Sequence, residues 1–163
     1  MIEHRVHNFG TYFVTTQTWM RQPLFQVDEV AKLLVRTIYE YRVQKKYLLH
    51  EFVVMKNHVH LMITPTEITL ERAMQFMKGG FSHRVGEMGR ATAEVWQRGF
   101  TDHRIRDAED FAHHREYIHL NPVRAGMCLR AEEYLYSSAN PMYKKDPIPQ
   151  RLKPSPIAAE WHG

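Results

Sequence analysis

Between Tyr47 and Thr64 two apolar runs are interrupted only by Lys56-Asn57, and the chain on either side repeats with a helical period. Asn57 tolerates the left-handed conformation a tight turn requires, so the two runs read as the strands of a hairpin. Upstream, residues 28–44 carry Val30, Leu33, Leu34, Thr37, Ile38 and Tyr41 at helical spacing, preceded by an aromatic and β-branched strand over residues 9–19. Downstream, Thr69 is placed to cap a second helix with Leu70, Ala73, Met74, Met77 and Phe81 on one stripe, and residues 86–92 read as a loop. A fourth strand is expected near residues 103–106. The order strand, helix, strand, strand, helix, strand is that of the split βαβ unit. The expected fold is therefore α+β and ferredoxin-like: a four-stranded antiparallel sheet, residues 9–19 and the second hairpin strand at its centre, with two helices on one face.

A further helix should begin at Asp107, with Asp110 three positions on giving a weak capping box and Phe111, His114 and Ile118 as its buried stripe. Pro122 pushes the residue before it out of the α region, which predicts a junction at Asn121 and a short following turn ending at Gly126. Only the open face of the sheet is left for this helix to cover. On its surface Tyr117 shares a stripe with His113 and Asn121.

That open face is also where the hairpin places its histidines. Side chains alternate along a strand, so Val59, Leu61 and Ile63 enter the core under the two helices, while His58, His60 and Met62 face the other way. Two imidazoles converging on one face suit two ligands of a single metal ion. With eleven histidines in 163 residues, however, chance also supplies this spacing, and on spacing alone two half-buried structural histidines are the better account.

The chain is long enough for one domain with its own core. Its formal charge of +4 and pI near 9.2 favour an anionic partner, nucleic acid first. Cys128 is the only cysteine, which excludes an internal disulfide and a multi-cysteine zinc site. There is no long apolar run and no signal-like start, so the expected setting is the cytoplasm, with no membrane partner. Gly79-Gly80, inside the second helix beside Lys78, His83 and Arg84, marks either close approach of a nucleic-acid backbone or a break or tight packing on the sheet. Residues 144–156, rich in proline and lysine, read as an extended basic tail, giving a division into residues 1–143 and 144–163.

Two blocks, Met55-Lys-Asn-His-Val-His-Leu-Met62 and Tyr117-Ile-His-Leu-Asn-Pro-Val-Arg-Ala-Gly126, resemble the REP-associated tyrosine transposases, a branch of the single-tyrosine HUH transposases. The resemblance continues through Leu70-Glu-Arg-Ala-Met74, Lys78-Gly-Gly-Phe81, Val95-Trp-Gln-Arg-Gly-Phe100, Asp102-His103 and Tyr136-Ser-Ser-Ala139, so it covers residues 9–143. It implies a catalytic domain that cleaves and rejoins single-stranded DNA near hairpins, through a 5′-phosphotyrosine intermediate. Tyr117 would be the nucleophile, on the additional helix. His58 and His60 would ligate a divalent metal, Mg²⁺ or Mn²⁺, with Asn121 where relatives place a polar third ligand; Lys56 stands where relatives often carry proline.

Contacts to single-stranded or hairpin DNA are expected from Lys78, His83, Arg84, Arg98, Arg104, Arg106 and Arg124, with Trp96 and Phe100 as stacking candidates. A monomer is expected, a dimer being the alternative. The competing function is a non-catalytic nucleic-acid binding module on the same fold.

Overall fold

The computed structural model describes residues 10–90 and 94–154. Seven elements carry the fold: β1 (Tyr12–Gln17), α1 (Asp28–Val43), β2 (Tyr47–Val54), β3 (His58–Pro65), α2 (Leu70–Glu87), β4 (Thr101–Arg104) and α3 (Ala108–Arg124). The strands form one antiparallel sheet in the order β2-β3-β1-β4, which puts β3 and β1 at its centre as the split βαβ topology requires.

Strand alternation divides the hydrophobic residues into two cores. Val14 of β1 and Val59, Leu61 and Ile63 of β3 pack under α1 and α2, with Leu34, Ile38, Met74 and Phe81. Val53 and Met62 turn to the opposite face and meet Phe111 and Ile118 of α3, with Ile105 and Leu152. The third helix thus covers the histidine face. Its start is fixed by Asp107, whose side chain accepts from the Asp110 amide at 2.8 Å, while the Asp110 carboxylate accepts from the Arg106 amide at 2.9 Å.

Several boundaries differ from the sequence expectations, each for a physical reason. β1 is shorter because Thr18 and Trp19 leave the ladder to pair with residues 95–96; Phe9 lies outside the described residues. β4 ends at Arg104, before residues 103–106 are complete, because Ile105 turns into the second core and bonds to Thr11 instead.

α3 runs on through Pro122 to Arg124 with no junction at Asn121. The proline removes one donor in the final turn, and bonds from Ala125 to Asn121 and from Met127 to Pro122 close the end, with Gly126 at φ +72°. α2 continues through Gly79-Gly80 to Glu87, so residues 86–87 are helix rather than loop, and residues 91–93 lie outside the described set. Gly80 is required by close packing on α1, not on the sheet: a Cβ there would stand closer than 3.0 Å to the Tyr41 ring.

Residues 144–152 are folded back rather than extended away. Asp146 exchanges two hydrogen bonds with the backbone of Leu49 and takes a bidentate pair from Arg42, and Leu152 is buried. Lys145 reaches Glu51 at 2.9 Å. A β-bulge between Leu49 and Glu51 allows both His50 and Glu51 to face α3, where the Glu51 carboxylate also meets His119 Nε2 at 2.6 Å and the Ser138 hydroxyl at 2.8 Å. Among the described residues no helix is long and apolar enough to cross a membrane.

Candidate active site

The antiparallel register of β1 and β3 sets Thr15 opposite His60 and Gln17 opposite His58, all four on the α3 face. A cleft of about 270 Å³ opens there, lined by Thr15, Gln17, Arg21, Asn57, His58, His60 and Tyr117. The His58 and His60 rings stand edge to face with centroids 4.8 Å apart, and the Tyr117 ring is 5.4 Å from that of His60. Phe13, also on this face, stacks on His60 at 5.2 Å and meets the edge of Tyr117 at 5.9 Å.

Each histidine has one nitrogen committed to an orienting partner. His58 Nδ1 lies 2.7 Å from Asn57 Oδ1, an acceptor only, so that nitrogen carries the proton and Nε2 keeps its lone pair. His60 Nδ1 lies 2.7 Å from the Thr15 hydroxyl. The remaining nitrogen, His60 Nε2, is buried with no hydrogen-bond partner among the described residues. A buried ring nitrogen left without a partner costs stability unless something else satisfies it.

Both rings are held neutral. Burial lowers His58, helped by the nearby charge of Arg21, and burial with the proximity of His58 takes His60 down to about 3. Neutral imidazoles, each fixed through Nδ1 by an oxygen, are what a divalent metal requires of its nitrogen ligands. The donor set therefore fits such an ion. Asn121 is half-buried one helical turn beyond Tyr117 and does not line the cleft. Tyr117 itself is 40% exposed and its hydroxyl makes no hydrogen bond within the described residues.

The expected DNA contacts separate into two groups. Lys78, His83 and Arg84 lie on α2, beneath the other face of the sheet, and have protein partners. Lys78 donates to the carbonyls of Gln97 and Gly99, and burial lowers its pKa; His83 pairs with Glu87; Arg84 bonds Thr37 and Glu40. Arg98, Arg104, Arg106 and Arg124 are exposed. Arg98 lines a shallow groove together with Thr15 and Gln17, which makes it continuous with the cleft. Trp96 is a core residue, 7% exposed against Phe25 and Phe81, and Phe100 packs against the same core.

A second histidine group lies beyond Phe13. His103 of β4 and Asp110 and His114 of α3 offer ligand atoms that all fall within 4.8 Å of one another, a spacing that could hold an ion. Here the contacts are made by the protein itself. Asp110 accepts from His103 at 2.8 Å and lies 3.0 Å from His114 Nδ1, and the same nitrogen is 2.8 Å from the Asp110 carbonyl. Only the strand register that brings His103 opposite Phe13 creates this group, and nothing in the local sequence marks it.

This fold and cleft define a class: ferredoxin-like domains that set strand histidines against a tyrosine on a covering helix. A family profile described as "Transposase IS200 like" matches residues 7–121, and the chain belongs to that family of DNA-cleaving and joining enzymes.

Among its relatives is the REP-associated tyrosine transposase of Escherichia coli K12, 25% identical over 131 residues, which is 79% of this chain and 76% of that protein. A putative REP-associated tyrosine transposase of Haemophilus influenzae is 28% identical over 108 residues, 60% of this chain and 61% of that one. Two solved structures share the fold. A REP-associated tyrosine transposase bound to a REP hairpin aligns with a TM-score of 0.70 over 95% of this chain and 96% of that one, at 24% identity. A putative transposase from Deinococcus radiodurans aligns with a TM-score of 0.52 over 72% and 95%, at 21% identity.

Proposed function

We propose that this chain is a metal-dependent transesterase that cleaves and rejoins single-stranded DNA beside hairpins of the REP type. Tyr117 is its nucleophile, and His58 and His60 are ligands of Mg²⁺ or Mn²⁺. The observation that carries this reading is the buried, unpartnered Nε2 of His60 in the same cleft as an exposed tyrosine. Asn121, on the face that Tyr117 presents, would supply the third ligand. When bound, the cation would polarise the non-bridging oxygens of the phosphodiester and stabilise the charge that builds on them.

The protein's own part is positional. Asn57 holds His58 in the tautomer that leaves Nε2 unprotonated, and Thr15 orients the His60 ring through Nδ1. Phe13 packs against both His60 and Tyr117, which fixes the spacing between ligand and nucleophile. The Tyr117 hydroxyl gives up its proton as its oxygen attacks phosphorus, the bond from phosphorus to the 3′-oxygen breaks, and that oxygen takes up a proton and leaves as a hydroxyl, so no net proton is gained or lost. The 5′-phosphotyrosyl bond conserves the energy of the broken ester for rejoining by a 3′-hydroxyl. The DNA path is read over the exposed arginines, with Arg98 nearest the cleft and Arg104, Arg106 and Arg124 further along, and the chain works as a monomer in the cytoplasm.

The test is a panel of hairpin-bearing single strands incubated with the protein and Mn²⁺ or Mg²⁺, followed by a denaturing gel. The unaltered chain should give a covalent protein–DNA adduct that chelator prevents. Tyr117→Phe should give none while still binding the hairpin, and an adduct from that variant would remove Tyr117 as nucleophile. If the unaltered chain gives no adduct with any divalent metal, the chain is a binding module instead.

A further inference from the structure

We infer that Arg21 is a phosphate-binding residue of the Tyr117 cleft and contacts the phosphodiester under attack. This rests on the transesterase reading above. Arg21 lies in the turn that follows β1 and lines the same cleft as His58, His60 and Tyr117. The cleft lining contains no carboxylate. Arg42, Arg84 and Arg130, by contrast, are paired with Asp146, Glu40 and Glu132. Arg21 is exposed and has no acidic partner among the described residues. An unpaired guanidinium in an acid-free cleft beside a nucleophile suits the oxygens of a phosphodiester, which it can contact through two donors at once.

The backbone supports the same conclusion independently. Met20 and Arg21 both have φ of 53°, a left-handed conformation that residues with a Cβ adopt at a cost, and neither is a glycine or asparagine. Two such residues in succession persist only where the surroundings over-determine them, and these do. Buried Thr18 donates through its hydroxyl to the Gln22 carbonyl at 2.8 Å and through its amide to the Asn57 carbonyl at 2.9 Å. The Gln22 amide donates to Trp19, and its side chain donates to the Glu94 carbonyl at 3.1 Å. The Asn57 side chain reaches the Arg21 carbonyl at 3.5 Å while its oxygen orients His58. One asparagine therefore joins the strained turn to the histidine whose lone pair faces the cleft. The strain has a use if it fixes the direction of the Arg21 side chain.

Arg21→Gln, Arg21→Lys and Arg130→Gln in the full chain, each checked for an unchanged melting temperature, decide the matter. The probe is a hairpin-bearing single strand with Mn²⁺. The rate of adduct formation and the salt dependence of binding are both measured. Arg21→Gln should slow adduct formation by about 100-fold or more, the scale of losing one donor to a developing oxyanion. It should also reduce the slope of log K against log salt by about 0.7, one phosphate contact on a single strand. Arg21→Lys should restore the slope and part of the rate, and Arg130→Gln should change neither.

Unchanged rate and slope in Arg21→Gln overturn the inference and leave the transesterase reading intact, provided Tyr117→Phe still gives no adduct. A reduced slope with an unchanged rate removes Arg21 from the attacked phosphate and overturns it as well. Absence of any adduct from the unaltered chain defeats the reading instead, and the contact of Arg21 with the attacked phosphate falls with it.

Discussion

Two histidine groups share one face of the sheet, with Phe13 between them, stacked on His60 on one side and tilted against His114 on the other. They are built on opposite principles. In the group of His103, Asp110 and His114 the carboxylate supplies what the imidazoles need, and the whole sits at the start of α3 as a closed set of charge-assisted bonds. At His58 and His60 the orienting bonds are made on one side of each ring only, and the buried Nε2 of His60 has no hydrogen-bond partner among the described residues. Satisfied polarity stabilises a fold; a buried polar atom without a partner is a candidate for binding and chemistry.

The largest effect that separates the two comes from replacing one ring in each group by a ring of similar shape. His60→Phe keeps the packing on Phe13 and removes both nitrogens. The lost bond to Thr15 is worth about 1 kcal/mol, and removal of an unpartnered buried nitrogen offsets it, so stability should move by ~1 kcal/mol or less. Adduct formation should fall by at least about 100-fold, and the rise in melting temperature on adding Mn²⁺ should disappear. His114→Phe should behave in reverse. It removes the hydrogen bond to the Asp110 carbonyl and the imidazole contact with the Asp110 carboxylate, and should cost about 0.5–1.5 kcal/mol in chemical denaturation, with adduct formation and the Mn²⁺ response retained. If His114→Phe abolished the Mn²⁺ response and His60→Phe did not, the metal centre would belong to His103, Asp110 and His114.

The same contrast explains what the sequence reveals. Periods of two and of three to four mark the strands and helices, and alternation alone assigns Val59, Leu61 and Ile63 to one core and His58, His60 and Met62 to the other face. The cap at Asp107 is legible because its partner is three residues away. What escapes the sequence depends on distant register. His103 joins Asp110 only through the pairing of β4 with β1, and Glu51 meets His119 only because the chain bulges at His50. Lys78, beside two glycines, has the composition of a nucleic-acid contact, yet its amine is spent on carbonyls of the loop before β4. Trp19-Met20-Arg21 contains no glycine or asparagine to announce a left-handed turn, so a cation of the cleft is silent until the backbone is seen.

A smaller effect separates the groups by pH. His60 has an ordinary value of 6.5 in the unfolded chain and about 3 in the folded one, so between these values the unfolded chain takes up a proton that the folded chain refuses. Stability is then full above pH 6.5 and falls as the pH drops toward 3, by at most ~1.4 kcal/mol per pH unit for each such group. His50 and His58, also lowered by burial, add to the same window. Asp110 acts later. Burial raises its pKa, but the Arg106 amide and His103 outweigh that and leave it below the ordinary 3.8. Its stabilisation is therefore present above 3.8 and lost only as the pH falls further, a region shared with Glu51 and Asp146. Urea denaturation from pH 7 to pH 3 should show a shallower decline above pH 4 in His60→Phe, and in Asp110→Asn a shallower decline only below it. A His60→Phe profile parallel to that of the unaltered chain between pH 6.5 and 4.5 would mean that the His60 ring is not held neutral, and the neutral imidazole on which the metal reading of the cleft depends would be gone.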